Sequence, residues 1–273
     1  MQNNFRRSRV YINTNLQKPY YDKIPTIPYS DRCTYTQPEL PYSLIIKHLM
    51  LKLQKYSQQH LIIFTRYPEA GKTKTRLIPA LGAVGAANLQ RQMTEHTIFQ
   101  VQELQKKTAL SCEVRFAGGN WQLMQDWLGQ DLAYHSQGGG DLGERMERSL
   151  REALQSGAQR VIIIGTDCPG VNSQILATAF EQTQAFDLVL GPALDGGYYL
   201  IGLHRYIKEL FANIDWGTSQ VLQQTMDIAQ KLNLSHLYLP PLADIDRPED
   251  LSIWKPSPLS PNPSPHNQTP RIF

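Results

Sequence analysis

An aspartate at the end of an apolar run is the first residue in this chain placed to do chemistry. In Val161-Ile162-Ile163-Ile164-Gly165-Thr166-Asp167-Cys168-Pro169-Gly170, four branched apolar residues lead without polar alternation into a glycine, a carboxylate and a proline. Such a run suits a strand covered on both faces of a parallel sheet, and Pro169 and Gly170 stop it from continuing. Ligands of open α/β sheets bind beyond the carboxyl ends of the strands, where Asp167 can hold a metal or a substrate hydroxyl. The plainer alternative is that it caps the turn or helix that follows. Cys168 has no identifiable His partner, so packing beside the strand end is its expected role.

Four further loops carry charged or flexible residues at strand or helix ends. The first runs from Thr65 to Arg76. Gly71 there lets backbone amides approach an anion, and Lys72, Lys74 and Arg76 can neutralise a diphosphate, unless the segment is only a solvated basic turn. Gly71-Lys72-Thr73 matches the end of a P-loop, but Arg66 stands where that motif needs its first glycine and Pro79 interrupts the helix that should follow. The second loop, Gly138-Gly139-Gly140-Asp141-Leu142-Gly143-Glu144-Arg145-Met146, runs into a helix whose N-terminus favours an anion or a polar base edge. The third, Asp195-Gly196-Gly197-Tyr198-Tyr199, lies between two strands and can equally be a plain hairpin turn. In the fourth, Asp244-Ile245-Asp246-Arg247-Pro248-Glu249-Asp250, an extended backbone aims Asp244 and Asp246 the same way as a paired-carboxylate site for a hard cation. Asp246 can instead cap the helix that Pro248 starts.

Alternating elements must position these loops. Strands are expected at 61–65, 110–116, 132–135, 161–164, 187–191, 198–203 and 235–239. Helices are expected at 83–107, after a cap at Asn120, at 142–155, after a cap at Asn172 or Ser173, at 219–232, and briefly from Pro248. Strands alternating with helices of this length imply right-handed crossovers and a mostly parallel sheet. Residues 57–254 therefore read as one α/β domain.

Composition narrows the class. The chain has 273 residues, is 41% hydrophobic and carries a formal net charge of +3. Residues 1–56 hold nine Lys and Arg against three acids, leaving 18 bases and 21 acids downstream. The body is thus slightly acidic, which argues against a nucleic-acid partner. Cys33, Cys112 and Cys168 form no Cys-x-x-Cys pair, so a reducing, cytoplasmic setting is expected without a disulfide framework or zinc cluster. No apolar run reaches the roughly 20 residues of a membrane span. Residues 1–56, interrupted by five prolines, read as a poorly ordered Tyr/Pro-rich arm with one short amphipathic run at 43–53. Residues 255–273 read as a disordered Pro/Ser-rich tail.

The five stretches, in their order, resemble one bacterial family. Phe64-Thr65-Arg66-Tyr67-Pro68-Glu69-Ala70-Gly71-Lys72-Thr73-Lys74-Thr75-Arg76, then Gly140-Asp141-Leu142-Gly143-Glu144-Arg145-Met146, Gly165-Thr166-Asp167-Cys168-Pro169, Asp195-Gly196-Gly197-Tyr198-Tyr199 and Asp244-Ile245-Asp246-Arg247-Pro248-Glu249-Asp250 carry the likeness. It is to the glycosyltransferase-like family of the GT-A, or nucleotide-diphospho-sugar transferase, superfamily associated with arsenosugar biosynthesis. The likeness spans 61–254, and family members usually begin near the position of Met50. Asp215-Trp216-Gly217-Thr218-Ser219 resembles a further family motif but has Gly217 where serine is usual.

This resemblance implies a GT-A-like, Rossmann-type α/β/α sandwich that moves a sugar from a nucleotide diphosphate to a small-molecule acceptor. It implies Mg²⁺ or Mn²⁺ on Asp167 with Asp244 or Asp246, bridging the diphosphate. Arg66, Gly71, Lys72, Lys74 and Arg76 would then face the phosphates, and Gly140, Asp141 and Arg145 the nucleoside. Asp195, Gly196, Gly197 and Tyr198 would face sugar or acceptor, with Asp167 and Asp195 catalytic and Asp195 the general base. Two other readings use the same loops: a nucleotidyltransferase releasing pyrophosphate from a nucleoside triphosphate, and a nucleotide-binding module without catalysis. Against the former, no Gly-x-Gly-Thr-Arg-Met loop follows the first strand.

Overall fold

In the computed structural model, residues 58–254 are described. The expected N-terminal arm, its run at 43–53 and the tail at 255–273 lie outside them. The first strand, β1 (Gln59–Arg66), is buried from His60 to Thr65, as a strand covered on both faces must be. A 3-10 turn (Thr75–Leu77) leads to α1 (Ile78–Gln105), β2 (Ser111–Ala117), α2 (Trp121–Leu128), β3 (Ala133–Ser136) and α3 (Leu142–Gln155). Next come β4 (Arg160–Ile164), α4 (Ser173–Gln182), β5 (Leu188–Pro192) and β6 (Tyr198–Leu203). A second 3-10 turn (Lys208–Phe211), α5 (Val221–Lys231), β7 (His236–Tyr238) and a third 3-10 turn (Pro248–Ile253) complete the order.

The strands form one sheet in the order β3-β2-β1-β4-β6-β5-β7. Only β6 runs against its neighbours, β4 and β5; the other pairs are parallel. The reason is the short link between β5 and β6, which cannot hold the crossover that a parallel pair needs. The sheet is therefore mostly parallel, as expected, in a single α/β domain.

Alternation along the strands sorts side chains between two cores. Leu61, Ile63, Ile162 and Ile164 meet Ile98 and Val101 of α1 and Leu176 and Phe180 of α4. Ile62, Phe64, Val161 and Ile163 meet Met146 and Leu150 of α3 and Met226 and Ala229 of α5. Each fully buried side chain of this kind contributes about 1.5–3 kcal/mol, so the β1–β4 pair is the rigid platform of the molecule. Both expected asparagine caps are present: Asn120 Oδ1 accepts from Leu123 N at 2.9 Å, and Asn172 Oδ1 from Gln174 N and Ile175 N. Helix α1 starts before residue 83 because Pro79 fits a first turn, while the non-helical backbone of Gly82 breaks that turn from the rest. Among the described residues no helix is long and apolar enough to cross a membrane.

Candidate functional site

Six chain segments meet beyond the carboxyl ends of β1 and β4. There a cleft of about 720 Å³ is lined by Arg66, Lys72, Lys74, Arg76 and Arg145, by Asp167, Asp195, Asp244 and Asp246, and by Tyr198 and Trp216. Cations and carboxylates expected from sequence positions up to 180 residues apart thus share one space. Local bonding explains how each arrives. The 244–246 segment is tied to the β4 end by Ile245 N donating to Asp167 O at 2.9 Å, and to β5 by Leu242 N donating to Pro192 O at 3.0 Å. The basic loop is stapled by Thr73, whose buried hydroxyl donates to Tyr67 O at 2.9 Å. Thr73 is thus an internal brace, unlike the metal-facing hydroxyl of a P-loop.

The basic loop is already paired. Lys72 lies 2.8 Å from Glu69 and Lys74 lies 2.9 Å from Asp167, while Arg76 is ion-paired with Asp246. Lys74 also donates to Ile245 O, and its side chain is only 4% exposed. Its backbone is left-handed, with φ 49°, a conformation costing a non-glycine residue about 1 kcal/mol or more. By contrast Arg66 has no carboxylate partner among the described residues. Among the described residues Arg145 is held by neutral groups, donating from Nε to Gly140 O at 2.8 Å and from its guanidinium to Gln137 Oε1 at 3.4 Å.

Those pairs bear on the metal expectation: of Asp167, Asp244 and Asp246, the first and third already face Lys74 and Arg76. Among the described residues no group of three or more His, Cys, Asp or Glu side chains is arranged to hold a metal ion. Asp246 does not cap the last turn either; Asp250 does, accepting from Asp246 N and Arg247 N. Asp244 is the carboxylate left over, raised above the usual range by its burial and then by the negative charge of Asp195.

Several other expected residues take structural roles. Asp141 caps α3 and exchanges hydrogen bonds with Glu144 at 2.8 and 2.9 Å, the reciprocal box of a helix start. Gly140, Asp141, Gly71 and Gly196 are not among the residues lining the cleft. Gly71 turns the basic loop with φ +81°, and a Cβ on Gly196 would stand 2.3 Å from Ser219 O. Tyr198 offers its ring but not its hydroxyl, which is buried toward Thr225 without a hydrogen bond of normal geometry. Burial drives that phenol far above its ordinary value. The Cys168 thiol, buried and beside Asp167, is likewise pushed up, so it is packed rather than nucleophilic. Asp195 is exposed, with Oδ1 accepting from Gly197 N at 2.8 Å and its other oxygen left open.

The cleft also holds residues that loop reading missed. Gln90 Nε2 reaches the hydroxyls of Thr65, Thr94 and Thr166 at 3.1–3.2 Å, bracing the turn before Asp167. Gln137 Nε2 donates to Thr65 O at 3.0 Å and Arg115 O at 3.1 Å, which leaves its Oε1 toward Arg145. Trp216 stands edge-on to Tyr198 with centroids 6.3 Å apart, making an aromatic wall. Its place in the Asp215 to Ser219 motif was the one sequence signal for this wall.

Comparison with known proteins follows the same line. The family model described as "Uncharacterized protein conserved in bacteria (DUF2064)" matches residues 100–218. Among solved structures, a "putative nucleotide-diphospho-sugar transferase" from Desulfovibrio desulfuricans G20 is 31% identical, with a TM-score of 0.64, over 70% of this chain and 83% of that one. The inositol-1-phosphate CTP transferase from T. maritima is 12% identical with a TM-score of 0.46, covering 71% of this chain and 92% of its own. Rv0371C of Mycobacterium tuberculosis H37Rv, in complex with manganese, is 12% identical with a TM-score of 0.42, over 71% and 97%. Curated proteins give no match.

Proposed function

We propose, from the premise that this chain belongs to the same family as the Desulfovibrio desulfuricans protein, that it transfers a sugar from a nucleotide diphosphate to a small-molecule acceptor. The observation carrying this reading is the composition of the cleft: among the described residues Arg66 and Arg145 line it without carboxylate partners, and Asp195, Tyr198 and Trp216 line it as well. Arg66, Arg145 and the remaining donor of Lys74 bind the diphosphate, with Lys72 and Arg76 at its margin. These cations stabilise negative charge as the nucleotide departs, an interaction that strengthens toward the transition state. Gln137, whose Oε1 accepts from Arg145, steadies that guanidinium beside the nucleoside. The sugar lies against Trp216 and the Tyr198 ring, and Asp195 takes the proton of the attacking hydroxyl. Asp167 acts through Lys74. An acceptor from arsenosugar biosynthesis is the specific case that the sequence resemblance implies.

A thermal-shift screen tests the reading, because a ligand that binds only the native state raises the melting temperature. Nucleotide-diphosphate sugars, nucleoside diphosphates and nucleoside triphosphates are compared, each in EDTA and with Mg²⁺ or Mn²⁺. The largest shift is expected from one nucleotide sugar. A shift from triphosphates alone would replace sugar transfer with nucleotidyl transfer, and a shift without any turnover would leave a binding module.

A further inference from the structure

We propose that Lys74 is the built-in cation of the cleft, occupying the position between Asp167 and the 244–246 segment that a divalent ion would need. The inference deepens the donor-site reading and rests on it for the identity of the anion, but not for the competition between lysine and metal. Three observations carry it. The Lys74 ammonium is 2.9 Å from Asp167 Oδ1 and also donates to Ile245 O. Carboxylate and backbone carbonyl are the oxygen ligands a hard cation takes at about 2.0–2.6 Å, so an ion on these two oxygens would sit almost on the ammonium. Second, the side chain is buried to 4% exposure and grows from a left-handed backbone closed by Leu77 N donating to Lys74 O at 2.9 Å. A strained, buried position is held by its surroundings and does not swing aside freely. Third, Arg76 of the same loop, though exposed, pairs with Asp246, so two of the three expected metal carboxylates already face a cation.

Charge arithmetic gives the consequence. An ammonium has three donors, and two are used by Asp167 and Ile245; the third serves a phosphate oxygen at the cleft surface that Lys74 lines. Asp167 is then a positioning residue for Lys74, fixing where its charge stands. No bond is made or broken in this role, and the phosphate oxygen is held by a charged donor that cannot be chelated away.

Mn²⁺ titration followed by electron paramagnetic resonance tests the competition directly on the full chain, and pyrophosphate calorimetry tests its purpose. In wild-type protein, no Mn²⁺ uptake at neutral pH that depends on Asp167 is expected up to millimolar ion, so wild type and Asp167→Asn give the same titration. Lys74→Ala should gain a Mn²⁺ site that the Lys74→Ala/Asp167→Asn double variant lacks. Wild-type affinity for inorganic pyrophosphate should be the same within threefold in EDTA and in Mg²⁺, and Lys74→Ala should lose at least tenfold in EDTA. Wild-type uptake of Mn²⁺ that Asp167→Asn abolishes would overturn the proposal, as would pyrophosphate binding that disappears in EDTA. Should pyrophosphate bind under neither condition, the donor-site reading fails while the Mn²⁺ titration still decides the lysine. The comparison of pyrophosphate affinity in EDTA and in Mg²⁺ uses wild-type protein alone and needs no variant to fold.

Discussion

Replacing Gly196 with alanine disturbs a close approach between the Asp195 turn and the loop carrying Trp216. Gly196 has φ +91°, and a Cβ there would meet Ser219 O at 2.3 Å and Ser219 Cα at 2.7 Å. The backbone conformation costs an alanine about 1 kcal/mol. Backbone cannot rotate away as a side-chain tip would, so overpacking adds about 1–3 kcal/mol. The sum is about 2–4 kcal/mol. For a body of this size each kcal/mol moves the melting temperature by about 2–4 °C, which gives a fall of roughly 4–16 °C. Leu222 N donates to Gly196 O at 3.0 Å, so the displacement also reaches the start of α5 and the aromatic wall. Urea unfolding of wild type and Gly196→Ala measures the stability term, and binding of the stabilising nucleotide sugar against the matching nucleoside diphosphate measures the second. The variant should lose more affinity for the sugar nucleotide than for the diphosphate. A stability change within about 0.5 kcal/mol, the size of an ordinary surface substitution, or equal losses for both ligands would refute the reasoning.

Other residues give outcomes of the same kind. Arg66→Ala and Arg145→Ala should each weaken donor binding by about ten- to a hundredfold, since hydrogen bonds to charged groups are worth about 1.5–3 kcal/mol; calorimetry showing unaltered affinity would leave them as solvated side chains. Burial alone would raise the Asp187 carboxyl, but hydrogen bonds from Ser235 and Arg205 outweigh it and hold it below 3.8. Its stabilisation is therefore complete above pH 3.8 and lost as pH falls through the lower folded value. Asp187→Asn should be less stable at neutral pH by about 1–2 kcal/mol, and its unfolding curve should converge on that of wild type as pH falls through the lower folded value; a pH-independent gap would contradict the ionic origin.

Much of this arrangement is legible in the residues themselves. Unbroken apolar runs at 61–64 and 161–164 mark strands with two covered faces, and Asn120 and Asn172 mark helix starts by their own side-chain chemistry. The link between β5 and β6 is short enough to decide the antiparallel strand, but the expected alternation of elements did not use it. Side-chain destinations were harder to read. Lys74 and Asp167 are far apart in the chain, and only the fold shows that each satisfies the other. Asp141 and Glu144 had the spacing of a capping box, and the glycines before them drew attention to ligand binding instead. Period-two alternation places Tyr198 and Tyr199 on opposite faces. It does not reveal that the Tyr198 hydroxyl runs under Thr225 while Tyr199 OH donates to Pro240 O at 3.0 Å. Trp216 was marked by its motif but given no role, since Gly217 departs from the usual residue there.

Phosphorus NMR of wild-type protein, incubated separately with a panel of nucleotide-diphosphate sugars and of nucleoside triphosphates, distinguishes the two bond cleavages directly. Glycosyl transfer breaks the sugar–phosphate bond and, with water standing in for the acceptor, should release nucleoside diphosphate slowly from one sugar nucleotide. The signal should persist in EDTA and vanish in Asp195→Asn. Pyrophosphate released from a triphosphate in the presence of a sugar phosphate, with the sugar nucleotides left intact, would contradict sugar transfer and assign the cleft to nucleotidyl transfer.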